Sequence, residues 1–287
     1  MIYLLALGSA LLYGAADFTG GLATRRFATI PVVVLSQLSG LIFLLLLLPL
    51  LPDAAPSRGD MLWGGIAGVT GSIGVALLYR ALAIGTMAVV APTTAVCAVA
   101  IPVLVSVLLG ERPAPIAAAG IGLGIVSIVL VSRQTAGPVQ DRRAGVVRAL
   151  PIGVGTALIS GVAIGFFFLA LAQTRPDAGM WPLVASRGFS VILFGAIAMA
   201  GKQSMRMPQP VAVLAAVCGV IDMLANALYL LASRDGPLSL VVTLASLYPA
   251  STVLLARVVL RERLNLWQLS GVACALAAVV LIVRGGG

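Results

Sequence analysis

An apolar run that opens on Gly and closes on Glu-Arg occurs twice in this chain, 151 positions apart. Residues 85–112, GTMAVVAPTTAVCAVAIPVLVSVLLGER, lie without a gap over residues 236–263, GPLSLVVTLASLYPASTVLLARVVLRER. Gly85 meets Gly236, Leu104 meets Leu255, and Glu111-Arg112 meets Glu262-Arg263. The register continues through Gly120/Gly271, Leu130/Leu281 and Arg133/Arg284. Apolar runs match easily by chance. A Gly entrance, a membrane-length run, a Glu-Arg exit and a second apolar run at one offset do not, so the chain reads as an internal duplication.

The repeated unit is too apolar for water. The 287 residues are 61% hydrophobic and 9% charged, whereas a soluble domain carries roughly 25% charged residues. So much apolar surface cannot hide in one core, and lipid must be the solvent. Runs of about 20 apolar residues predict ten spans, at 2–22, 31–51, 61–83, 86–109, 114–132, 148–174, 179–200, 211–233, 236–260 and 264–284. The first begins at Ile2 with no basic segment before it and reads as a retained span rather than a cleaved signal. The fold class expected is an all-α polytopic membrane protein, with ten transmembrane helices as two inverted five-helix repeats. The inversion follows from the odd number: five spans per copy turn the second copy over in the bilayer. The expected units are residues 1–133, a polar linker 134–147, and residues 148–287.

The formal charge of +9 comes from basic residues scattered singly or in pairs between apolar runs. They anchor helix ends rather than form a nucleic-acid surface. Counting Arg and Lys in the connections gives twelve on one side and five on the other. That bias predicts both termini outside. There is no histidine, and Cys97, Cys218 and Cys274 sit far apart inside apolar runs. Neither a zinc site nor a disulfide framework is expected. No GxxxxGK[ST] run is present, so this chain carries no nucleotide loop of its own.

Small residues four apart, Gly64/Gly68, Gly120/Gly124 and Gly161/Gly165, are expected to let helices approach closely. The functional candidates are polar groups that lipid should exclude. A charge at mid-membrane costs about 2.5–3.5 kcal/mol even on a permissive scale. Three look deep: Asp17, Arg187 and Asp222. Tyr13 lies one turn before Asp17, with Phe18 adjacent. Asn226 and Tyr229 follow Asp222 by one and two turns. The position related to Arg187 by the repeat holds Ser36-Gln37, so Gln37 joins the set. Thr93 and Thr94 align near Ser246, and Tyr248 precedes Pro249, which removes a backbone donor and is expected to bend its span. Arg187 is expected to pair with Asp222 or Asp17. Two acids against one deep Arg leave one acid without a cation, available to be protonated, hydrated or bound to substrate.

With its ten spans, inverted halves and paired GxxxxxAP…GER-type stretches, the chain resembles the EamA-type members of the drug/metabolite transporter superfamily. Tyr13-Gly14 stands where that family often has Trp-Gly, and Arg187 where its halves commonly carry an Arg. There are two departures: Gln37 replaces the expected Arg of the first half, and Arg261 stands where Gly110 does. The resemblance implies secondary transport, usually export, of small polar or amphipathic metabolites such as amino acids or drugs, across the inner or plasma membrane. It also implies a cavity between the halves and, against the charge count, cytoplasmic termini. A substrate, protons and the lipid bilayer are the expected partners of a monomer or weak homodimer. No enzyme activity, cofactor or metal is expected. The competing readings are a passive channel or facilitator and a non-transporting scaffold.

Overall fold

The computed structural model describes residues 2–51, 54–108, 110, 114–131, 152–235, 244–245 and 247–285. The expected linker 134–147, Glu111, Arg112 and Ser246 lie outside them. The described residues form ten α-helices and no strand. They are α1 (Ile2–Arg26), α2 (Thr29–Leu47), α3 (Arg58–Ile84), α4 (Met87–Leu108), α5 (Pro115–Val131), α6 (Val154–Ala172), α7 (Trp181–Ala200), α8 (Gln209–Asp235), α9 (Tyr248–Val259) and α10 (Leu266–Gly285). Six segments are long and apolar enough to cross a membrane: Thr29–Leu50, Arg58–Ile84, Val154–Ala172, Trp181–Ala200, Gln209–Tyr229 and Leu266–Gly285.

Helix ends follow local chemistry. Ser57 and Asp60 form a reciprocal capping box at the start of α3, and Asn265 and Gln268 exchange the same pair of bonds (3.2 and 2.8 Å) at the start of α10. Pro249 sits in the first turn of α9, where no intrahelical N–H is required of it, and helical residues 244–245 and a turn at Leu247 precede it. Pro92 and Pro102 are the prolines inside α4. Gly110, with φ +90°, and Arg261, with φ 54°, follow α4 and α9 at positions 151 apart. The repeat thus keeps a left-handed residue after the same helix. In the second copy an Arg occupies a conformation that suits Gly. It lets the chain fold back, with Glu262 N–H donating to Ala256 O at 3.3 Å.

The packing order has a two-fold logic. Helix α1 packs on α8 as α6 packs on α3; α2 on α8 as α7 on α3; α1 on α9 as α6 on α4. The pairs α5–α10, α2–α7 and α4–α9 map onto themselves when the first five helices are exchanged for the last five. Lipid tails give helices no hydrophobic reason to associate, so small residues and backbone-directed hydroxyls carry this packing. Gly64 and Gly68 of α3 lie against the backbone of Pro182 and Ser186 in α7, Gly161 against Thr94 O, and Gly120 against Ile282 N. Ser160 Oγ donates to Gly74 O (2.7 Å) and Ser190 Oγ to Gly68 O (3.0 Å), stitching α6 and α7 to α3. Two sizeable contacts lack a counterpart among the described residues: α1 packs against α3 without a comparable α6–α8 contact, and α4 against α10 without a comparable α5–α9 contact.

Candidate functional site

Arg187, nearly two turns into α7, is the hub of the buried polar groups. Its Nη1 donates to Oε1 of Gln37 on α2, and its Nη2 to Oδ2 of Asp222 on α8. The α2–α7 contact is one of those that map onto themselves, so the Gln of one half faces the Arg of the other across the same seam. Asn226, one turn after Asp222, donates its Nδ2 to Asp222 O at 2.8 Å and leans towards Oδ2 at 3.5 Å. Gln37 is 2% exposed, while the side chains of Arg187 and Asp222 are 13% and 22% exposed. The cluster therefore has a sealed wall at Gln37 and an open edge at Asp222. The two bonds use two of the five guanidinium N–H donors, and Asp222 balances its charge.

Asp17 is arranged differently. It lies half-buried on α1, and among the described residues its carboxylate has no hydrogen bond and no ion pair. It is an electrostatic neighbour of Asp222 and of Tyr248. Tyr13, one turn earlier, meets the Tyr248 ring edge to face, with centroids 6.2 Å apart and planes at 62°. Tyr13 is also an electrostatic neighbour of Asp222, Tyr229 and Arg187. Gly14 makes the approach of α9 possible, because a side chain there would meet Ser251 and the backbone of Tyr248 and Thr252. Thr252 Oγ1 then donates to Gly14 O at 3.2 Å. Tyr13, Asp17, Arg187, Asp222, Asn226, Tyr229 and Tyr248 thus come together from α1, α7, α8 and α9, and all are only partly buried.

The other candidates lie elsewhere. Phe18 is buried in the main apolar core with Val32, Leu78 and Leu82. Thr93 and Thr94 are each 1% exposed. Thr93 bonds back to Val89 O (2.8 Å), and Thr94 reaches Ala157 O on α6 (3.3 Å), so both hydroxyls are used in packing. Ser246 is outside the described residues. No group of three or more His, Cys, Asp or Glu able to hold a metal occurs among the described residues.

Two ion pairs at helix ends were not singled out by sequence reasoning. Asp60 at the start of α3 accepts from Arg175 N (2.9 Å) and pairs with the Arg175 guanidinium (3.2 Å). Glu262, after α9, accepts from the N–H groups of Met87 and Ala88 (3.1 and 3.0 Å) and pairs with Arg25 (3.2 Å). The duplicated Glu-Arg exit was the available signal for the second, although it does not reveal the partner.

Residues 1–133 and 151–284 both match the EamA-like transporter family. The chain belongs to that family, and so to the drug/metabolite transporter superfamily. Family membership and the apolar helices together make it an integral, multi-pass membrane protein of transporter type. One solved crystal structure is similar in fold, with a TM-score of 0.57 at 18% identity, covering 98% of this chain and 95% of that one. No curated protein matches the chain.

Proposed function

We propose that this EamA-family protein is a secondary transporter that exports small amine-bearing polar or amphipathic compounds by alternating access, with Asp17 as the binding or proton-coupling group. The observation that carries the reading is the division of labour between the acids: Asp222 is paired with Arg187, while the half-buried Asp17 has no partner among the described residues. Formally the cluster holds two carboxylates and one guanidinium, a net charge of −1. An anionic cavity away from bulk water favours a cation, whether an ammonium or a proton. Arg187 is already engaged, so a substrate carboxylate finds less there than its charge alone suggests. Tyr13, Tyr229 and Tyr248 add aromatic walls suited to an amphipathic body.

The two-fold packing order and the double family match support ten spans arranged as two inverted five-helix repeats, each half supplying part of a central site. Such a duplicated framework has two arrangements of similar energy, one open to each side of the cell membrane. The Arg and Lys bias of the connections supports both termini outside, which a reporter fused to the C-terminus tests.

The direct test is a melting-temperature screen of the purified protein against amines, amino acids and matched carboxylic acids. A ligand of the folded state raises the melting temperature by mass action. Amines are expected to raise it in the wild type and not in Asp17→Asn, with carboxylic acids inert in both. Stabilisation by carboxylic acids, lost in Arg187→Gln, would overturn the reading.

A further inference from the structure

The α1–α3 contact, one of those that the two-fold exchange does not reproduce, has a physical location. At the end of the bundle where α1 and α3 finish and α4 begins, four elements are tied together. Arg25 donates to Leu82 O (3.3 Å) and Gly85 O (3.1 Å) as well as to Glu262. Thr24 Oγ1 donates to Tyr79 O at 3.1 Å. Glu262 comes from the other half of the chain, and its two oxygens receive the first N–H groups of α4. A carboxylate at a helix N-terminus satisfies donors that the helix itself cannot and complements the dipole. Arg25 and Glu262 line a pocket of about 410 Å³ with Thr86, Val89, Ile152 and Gln268.

One turn further in, Tyr79 closes the seam. Its ring lies over Gly20 of α1, and its hydroxyl lies 3.1 Å from Cys218 Sγ of α8, which donates to Ala16 O at 3.2 Å. Cys218 is fully buried and Tyr79 is 4% exposed. The repeat-related seam, between α6 and α8 at the opposite end, shows no comparable packing among the described residues, and Gly20 and Tyr79 correspond in the sequence to Leu171 and Leu230.

We propose that Glu262, with Arg25 and Tyr79, is the latch of a closed gate at the α1–α3 end, and that its release parts this seam while α6 and α8 come together. The proposal rests on the transporter reading only for the gate's purpose; the latch is tested without any substrate. A purely structural cap would hold α4 alone. Glu262 instead joins α4, α1 and the α9–α10 connection, that is, both halves at one end. Arg175–Asp60 ties the start of α3 to the α6–α7 connection and includes no residue of α1, so it does not hold this seam.

Cys218 reports on the seam. In the full chain carrying Cys97→Ser and Cys274→Ser, the rate of Cys218 modification by a charged methanethiosulfonate is measured in detergent. Glu262→Gln is expected to raise it roughly tenfold, the effect of moving a closed-to-open equilibrium by about 1.4 kcal/mol. Arg25→Gln, which leaves the α4 cap in place, is expected to give a smaller rise, and Arg175→Gln none. If Glu262→Gln is not monodisperse, Arg25→Gln against Arg175→Gln decides. Unchanged labelling in Glu262→Gln and Arg25→Gln, or an equal rise in Arg175→Gln, would overturn the latch. A protein that shows the labelling pattern but binds no amine would retain the gate and lose the substrate reading.

Discussion

The two halves of this chain share a scaffold and differ in chemistry. Most of their larger helix contacts survive exchange, and both place a left-handed residue after the same helix. The interior is not shared. The first half contributes Tyr13, Asp17 and Gln37, the second Arg187, Asp222, Asn226, Tyr229 and Tyr248. The positions related by the repeat to Asp17 and Asp222 hold Phe168 and Gly71. Packing is thus symmetric where it holds the bundle together, and the polar centre is asymmetric, with one acid neutralised in place and one left over. Symmetry explains the fold, and its violation marks the candidate site.

Substitutions in each half can sharpen or break this contrast. The largest loss of stability is expected for Asp222→Asn, which strands the Arg187 guanidinium inside the bundle. Removing one partner of a buried pair costs about 3 kcal/mol, visible as a lower melting temperature in detergent. Combining it with Arg187→Gln should recover part of that loss, and a purely additive double variant would argue against the pairing. Gln37→Leu should cost less, about 1 kcal/mol, because the guanidinium keeps Asp222 and loses one acceptor.

A third substitution concerns the scaffold copies directly. Arg261→Gly gives the second half the residue found at Gly110. It should be neutral or stabilising by about 1 kcal/mol, since a left-handed backbone strains any residue with a Cβ. A clear drop in melting temperature would show that the Arg261 side chain, exposed here, matters more than its backbone. The smallest stability change is expected for Asp17→Asn, within about 0.5 kcal/mol, because no partner is lost. A drop as large as that of Asp222→Asn would place Asp17 among the structural groups and remove the distinction between the two acids.

Much of the scaffold was legible in the sequence, because lipid imposes a length on each apolar run and Gly, Pro and charge punctuate them. Six of the expected spans reappear as helices long and apolar enough to cross by themselves. Pro249, expected to bend its span, lies in the first turn of α9, just after helical residues 244–245 and a turn at Leu247. The leftover acid was legible from charge arithmetic alone. Which acid it would be was not, since Arg187 is 35 residues from its partner and either carboxylate satisfied the count. Thr93 and Thr94 show another limit. A hydroxyl in an apolar helix reads the same whether it lines a cavity or bonds a backbone carbonyl, and here both bond carbonyls. The Arg25–Glu262 link spans 237 residues, and only the fold brings such positions together.

The central claim is that Asp17, which has no partner among the described residues, does the work of transport. The most direct measurement reconstitutes the wild type and Asp17→Asn in liposomes holding a pH-sensitive dye. Outward or inward amine gradients are then imposed from a panel of amino acids and organic amines. The account predicts amine-dependent proton movement in the wild type and none in Asp17→Asn, with both proteins equally folded and monodisperse. Undiminished coupled movement in Asp17→Asn would contradict it.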